Sequence, residues 1–326
     1  MFLEDQLKNE FRKKADTIKS PKQLDQHIAS LYHSHHDKSQ RKDHSFPLKF
    51  PRYALFALVF VVLAGFGYAT SKLLFETKSN TLNLEVRQDT TIKMKTISKD
   101  QVRSNIAKVK ENLVPGEAAL IYFADFENEA HPFFKEMPGM IVSKPIKVHT
   151  YEQGLKMLDS MFHSYKKPIM KIGNYSFTNA FAGYPLDGGL TPDMINRLDK
   201  LKQEAKDTRK NVIWEKLDEI PQILPAITLT YKNDKENKIY LTLKKINENT
   251  KLETTIDEDS SFEKLMVHNK KAYFIKNTNQ FLSSTGEYEE ILWIEQSEKE
   301  TIIYSISSDS LEVTKEDLLM MANNMN

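Results

Sequence analysis

The chain has 326 residues, 46 Lys and Arg against 45 Asp and Glu, and no cysteine, with a mean hydropathy of −0.52. Without cysteine there is no disulfide framework, no cysteine-zinc or iron-sulfur site and no thiol nucleophile. A net charge of +1 gives no chain-wide field for nucleic acid, and no direct nucleic-acid contact is expected. The balance is local rather than uniform: residues 1–52 hold 11 Lys and Arg against 7 Asp and Glu, leaving 35 against 38 for the rest.

At the N-terminus, Leu7, Phe11 and Ile18 recur at helical spacing, with charged residues between them. A second helix is announced by Ser20-Pro21-Lys22-Gln23: a serine cap, proline at the first helical position and glutamine closing a capping box. Leu24 and Ile28 carry its apolar stripe. Two helices this short bury little by themselves, so Leu7, Phe11, Ile18, Leu24 and Ile28 are read as a docking face. Its occupant is a cytoplasmic protein or an anionic lipid surface. His27, His33, His35, His36 and His44 crowd the following polar stretch without metal-ligand spacing, and residues 37–52 read as a basic linker.

From Tyr53 to Ser71 run nineteen residues without a charge, bracketed by Arg52 and Lys72. As a helix at about 1.5 Å per residue they cover roughly 29 Å, near the bilayer hydrocarbon thickness of about 30 Å. Nine are Leu, Val or Phe, favouring insertion by roughly 3 to 5 kcal/mol. A transmembrane helix over 53–72 is therefore expected. It is a retained signal-anchor rather than a cleaved leader, because 52 residues precede it. The basic excess of 1–52 places that segment inside and the C-terminal region outside, at the cell membrane. Gly65 with Ala69 and Gly67 with Ser71 are small-residue pairs on which two spans can pack.

Beyond the span, two outer regions are expected, 76–215 and 220–326. Leu82, Leu84 and Val86, then Ile92 and Met94, alternate as strands do. Ser98 with Gln101 opens a helix carrying Val102, Ile106, Val109 and Leu113, and Pro115-Gly116 stops it. Residues 117–124 read as a buried strand. The loop after them holds Asp125, Glu127, Glu129 and His131, read as an acidic surface loop rather than a cation site. Thr150 with Gln153 opens a helix through Phe162, and Thr191-Pro192 a third with Ile195, Leu198 and Leu201; 169–177 is a strand between them.

From Pro225 the pattern turns to β. Ile227, Leu229 and Tyr231, then Ile239, Leu241 and Leu243, describe a half-buried hairpin. Residues 262–267 with 272–275 and 291–294 with 301–306 make two more pairs. Thr314 with Asp317 opens a terminal helix bearing Leu318, Met321, Ala322 and Met325. The expected fold class is α+β: one N-terminal-side transmembrane helix, an outer region with antiparallel sheet and packed helices, and a short helical cytoplasmic segment.

No enzymatic motif is complete. Ser164-x-x-Lys167 lies at a helix end before Pro168, without the companion motifs of a serine-lysine hydrolase. Asp257 and Asp259 begin a calcium-loop pattern, but Phe262 and His268 stand where glycine and glutamate are needed. No catalytic activity, cofactor or metal is expected.

Two stretches resemble known proteins. Residues 268–278 and 289–325, with Trp293, Tyr304-Ser305-Ile306 and Thr314-Lys315-Glu316-Asp317, resemble an uncharacterised extracytoplasmic domain of single-pass envelope proteins from spore-forming Gram-positive bacteria. Residues 3–28 are similar to the inner ends of membrane-bound anti-sigma-factor-like proteins, lacking the His-x-x-x-Cys-x-x-Cys zinc motif of many of them. The resemblance implies a sigma factor or similar cytoplasmic partner and an outer ligand. The leading expectation is a regulatory or sensory membrane protein; the second is an anchored envelope protein holding a lipid, peptide or wall component.

Overall fold

The computed structural model describes residues 72–326 except 79–81, 93–96, 130, 132–133, 136, 187, 189, 191–193, 222–223, 247–249, 279 and 281. The expected span at 53–71 and all five docking residues lie outside the described residues; Lys72, the last residue assigned to the span, opens a strand. No helix among the described residues is long and apolar enough to cross a membrane.

The described residues form an α+β unit whose centre is an eight-stranded antiparallel sheet. In spatial order it runs β11 (Ser260–Val267), β12 (Lys270–Asn277), β13 (Tyr288–Gln296), β14 (Thr301–Ser308), β9 (Lys238–Ile246), β8 (Ala226–Lys232), β6 (Tyr175–Ala182) and β5 (Lys171–Ile172). A second sheet joins β1 (Lys72–Lys78), β2 (Leu82–Gln88) and β10 (Thr250–Ile256), with β10 parallel to β2. A third joins β4 (Gly139–Lys144), β3 (Glu117–Phe123) and β7 (Val212–Leu217). Strands from the expected 76–215 and 220–326 regions share sheets, since β6 pairs with β8 and β2 with β10.

Three helices begin where local chemistry places them. Ser98 and Gln101 cap each other's backbone at α1 (Lys99–Glu111), Thr150 and Gln153 at α2 (Tyr151–Met161), and Thr314 and Asp317 at α4 (Lys315–Asn323). Each box satisfies two backbone donors that the first helical turn leaves free. The fourth helix, α3 (Met194–Thr208), buries Met194, Leu198, Leu201 and Ala205. Ile195, read as part of its apolar face, is instead 52% exposed, because the buried stripe is centred one residue away.

The central sheet has two unlike faces. On one, Ile227, Leu229, Leu241, Leu243, Trp293, Tyr304 and Ile306 pack under Leu158 of α2 and Leu318 and Met321 of α4. Trp293 and Tyr304 are cross-strand partners, with rings stacked at 4.9 Å. On the other, Tyr273, Ile275, Leu292 and Ile303 pack against Leu82, Leu84, Val86 and Leu252 of the second sheet. The β8–β9 hairpin is thus covered on both sides rather than half-buried: Thr228, Thr230 and Thr242 are buried as fully as their apolar neighbours.

Residues 169–177 hold a turn instead of one strand. The chain reverses at Gly173, whose φ of +58° suits glycine, so β5 and β6 pair as a tight hairpin. Strands β1, β4, β7 and β10 have no counterpart among the expected elements, and Ile92, expected in a strand, lies outside one. Gly139 opens β4 where a Cβ would stand 2.4 Å from Leu198 Cδ2 and 2.5 Å from the Ile121 carbonyl oxygen; α3 seats on this sheet because that side chain is missing.

Candidate functional site

A cleft of about 410 Å³ opens at the polar end of the central sheet, within the size range of small-molecule sites. One wall is β6, and a bulge decides what it presents. Phe177 opposes Tyr231 and Asn179 opposes Thr230, with the register shifting between them at Thr178. The extra residue reverses the alternation. Phe177 and Ala180 therefore both join the apolar core, and Asn179 and Phe181 line the cleft. Thr230 donates to Asn179 Oδ1 at 3.2 Å, holding the carboxamide in place.

The opposite wall is the end of β4 and the chain that leaves it. Lys144 donates to the Leu113 carbonyl at 2.7 Å, beyond the C-terminal end of α1. Val148 exchanges two 2.9 Å backbone hydrogen bonds with Ala180. This bridge pins Lys147 beside β6, where its ammonium lies 5.9 Å from the centre of the Phe181 ring. Tyr184 adds an aromatic edge. Its hydroxyl donates to the Leu224 carbonyl and accepts from the Leu224 amide.

Among the described residues five lysines line the cleft, Lys110, Lys144, Lys147, Lys232 and Lys238, and no carboxylate does. Lys232 and Lys238 sit directly opposite each other at the end of the β8–β9 hairpin, a placement that costs stability for like charges. Lys232 is partly relieved by Glu236. Lys147 is not: burial, then the charges of Lys238, Lys232 and Lys110, lower its ammonium below the ordinary lysine value. At the cleft floor the Tyr240 hydroxyl donates to Asp309 at 3.2 Å.

Comparison with protein-family models, curated proteins and solved structures finds no match.

The side chains singled out from the sequence are placed elsewhere. Among the described residues no three His, Asp or Glu side chains are arranged to hold a metal. The loop 125–131 is only partly a surface loop. Glu129 and His131 are buried: Glu129 accepts from the Ile97 amide at 3.0 Å, and His131 Nε2 lies 3.5 Å from Asp89. Phe126, stacked on Phe123, and Phe134, tilted against Phe126, draw the loop inward. Glu127 instead pairs with Lys202 and accepts from Tyr122.

Ser164 and Lys167 serve through their backbones: the Ser164 amide donates to Glu300, and Lys167 pairs with Asn326. Asp257 accepts from Ser260 at 2.7 Å in the turn between β10 and β11. A second cleft of about 280 Å³, lined by Phe75, Tyr273 and Leu292, lies over the contact between the first two sheets.

Proposed function

We propose that the chain is a single-pass membrane protein of regulatory or sensory type, anti-sigma-factor-like in layout. Residues 1–52 lie inside, 53–71 cross the bilayer, and the α+β unit stands outside to meet a ligand. The observation that carries this reading is the charge-free run between Arg52 and Lys72, of bilayer-spanning length. On the inner side, Leu7, Phe11, Ile18, Leu24 and Ile28 dock a cytoplasmic protein of the sigma-factor kind.

Absence of cysteine makes the topology directly testable. With Ser39→Cys or Ser160→Cys as the only thiol, a membrane-impermeant maleimide added to intact cells labels the second, and the first only after permeabilisation. The reverse pattern overturns the orientation, and release of the chain by salt or alkali overturns the span. In crosslinked cells residues 1–52 retain a sigma factor or similar regulator, lost on Leu7→Asp or Phe11→Asp.

The lysine cleft favours a second reading, an anchored envelope protein that holds a lipid, peptide or wall component. Deleting residues 2–35 separates the two. Function survives if the segment only anchors, and fails if it relays a signal.

A further inference from the structure

We propose that the lysine cleft is a binding site for a phosphate-bearing organic ligand, with the phosphate held by Lys147 and Lys238 and the organic body against Phe181 and Tyr184. The proposal rests on reading the outer unit as ligand-binding and names what it binds. Four separate elements bring the cationic side chains together: α1, the end of β4 with its following loop, β8 and β9. Among the described residues neither the Lys147 nor the Lys238 ammonium forms an ion pair. Concentrating like charges in a partly enclosed cleft is unfavourable unless an anion offsets it.

Three features select the chemistry. Among the described residues all the cationic groups of the cleft are lysines and none is arginine. An ammonium binds phosphate as a point charge, and the arginine fork that would favour bidentate recognition of a carboxylate or a phosphate is not part of this lining. A polyanion also answers several ammonium groups at once, as a single carboxylate does not. The volume exceeds what one ion fills, and a buried aromatic ring, Phe181, lies beneath the charges. Asn179 accepts from Thr230 and gives one carboxamide N–H to Thr178 Oγ1 at 3.1 Å, leaving the second N–H to donate along the same wall.

The phosphate can belong to a soluble phosphoester or to an anionic lipid headgroup. The experiment uses the full chain in detergent micelles or lipid nanodiscs, with pyrophosphate, glycerol 3-phosphate and citrate as probes in titration calorimetry. Flotation of the chain already held in phosphatidylcholine nanodiscs with phosphatidylglycerol–phosphatidylcholine vesicles, against pure phosphatidylcholine, forms a separate arm.

Glycerol 3-phosphate is expected to bind more tightly than citrate. Lys147→Gln with Lys238→Gln weakens it at least tenfold, while Lys299→Gln, on an exposed turn, leaves it unchanged. Lysine-dependent flotation on the anionic vesicles alone assigns a headgroup; binding of the soluble phosphates without flotation assigns a free phosphoester. Equal or tighter binding of citrate, binding insensitive to the double variant, or no binding in either arm overturns the proposal.

Ligand-free, the double variant melts no lower than the parent, because the substitution removes repulsion. A lower melting midpoint with unchanged binding gives the lysines a structural role and also overturns the proposal. Thiol labelling at residues 39 and 160 is independent of ligand, so failure of the membrane reading and failure of this site are seen separately.

Discussion

The two faces of the central sheet are built from the same strands and are about equally buried, yet they differ in kind. The face under α2 and α4 is almost wholly apolar. The other changes along its length, from aliphatic contacts with the second sheet to Thr228, Thr230, Thr242, Lys244, Glu290 and Ser305 near the cleft. Burial of a polar group costs stability unless it is hydrogen-bonded. The polar end is accordingly networked: Ser305 donates to Glu290, whose carboxylate lies 3.8 Å from Lys244. One face supplies cohesion, and the other presents polar groups in fixed positions beside an opening.

The sharpest way to break this contrast is to strip the apolar face. Deleting residues 315–326 removes α4 and exposes Trp293, Ile291 and Tyr304, and the unit is expected to lose its cooperative urea transition. Trp293→Ala, which leaves the helix in place, costs about 3–5 kcal/mol. An unchanged urea midpoint in either variant would show that the face contributes little cohesion.

The polar face responds asymmetrically to small changes. Thr228 donates to the Gly183 carbonyl at 2.7 Å and lies 2.9 Å from the Thr242 hydroxyl. Its one proton goes to Gly183, so Thr242 is the donor of the pair. Thr228→Val strips partners from two buried groups and costs about 1–3 kcal/mol. Thr242→Val removes one donor, with Thr228 still bonded to Gly183, and costs less. Equal losses in urea denaturation contradict the assignment.

The smallest expected effect is a pH dependence at Glu300, at the rim of the apolar face. Burial raises its carboxyl, but the Ser164 and His163 amides, each 2.7 Å from Oε1, and then Lys245 outweigh burial and hold it below the ordinary value. A depressed acid contributes stability above its unfolded pKa and loses it as pH falls through the folded one. Hydrogen bonds to a charged group are worth about 1.5–3 kcal/mol against about 0.5–1.5 for neutral ones. Glu300→Gln should therefore cost about 1 kcal/mol at neutral pH, a cost that shrinks as pH falls through the folded-state titration of the carboxyl. A difference between the two chains that persists in acid rules this contribution out.

What could be read from the chain follows the range of the interactions. The capping boxes at Ser98, Thr150 and Thr314 were legible because each closes within four residues. The β8–β9, β11–β12 and β13–β14 hairpins were legible because their alternation brackets a short turn. Strands β4 and β7 were missed: they are six residues each and gain their partners only through β3. Strand β10 was missed because its pairing is parallel, to a strand about 170 residues earlier. Glu300 gave no sign of its role, since its donors lie at positions 163 and 164.

Residue order alone determined the uncharged run at 53–71, the helix starts and the hairpins, all consequences of local hydropathy, backbone capping and turn geometry. Tertiary structure decided the cleft. Lys110, Lys147, Lys232 and Lys238 are ordinary surface residues in sequence, and only the packing of β4 beside the β6–β8–β9 edge turns them into one field. The decisive step is the bulge at Thr178. Strict alternation puts Phe177, Asn179 and Phe181 on one face, and a single extra residue, held by pairing with β8, sends Asn179 and Phe181 to the other.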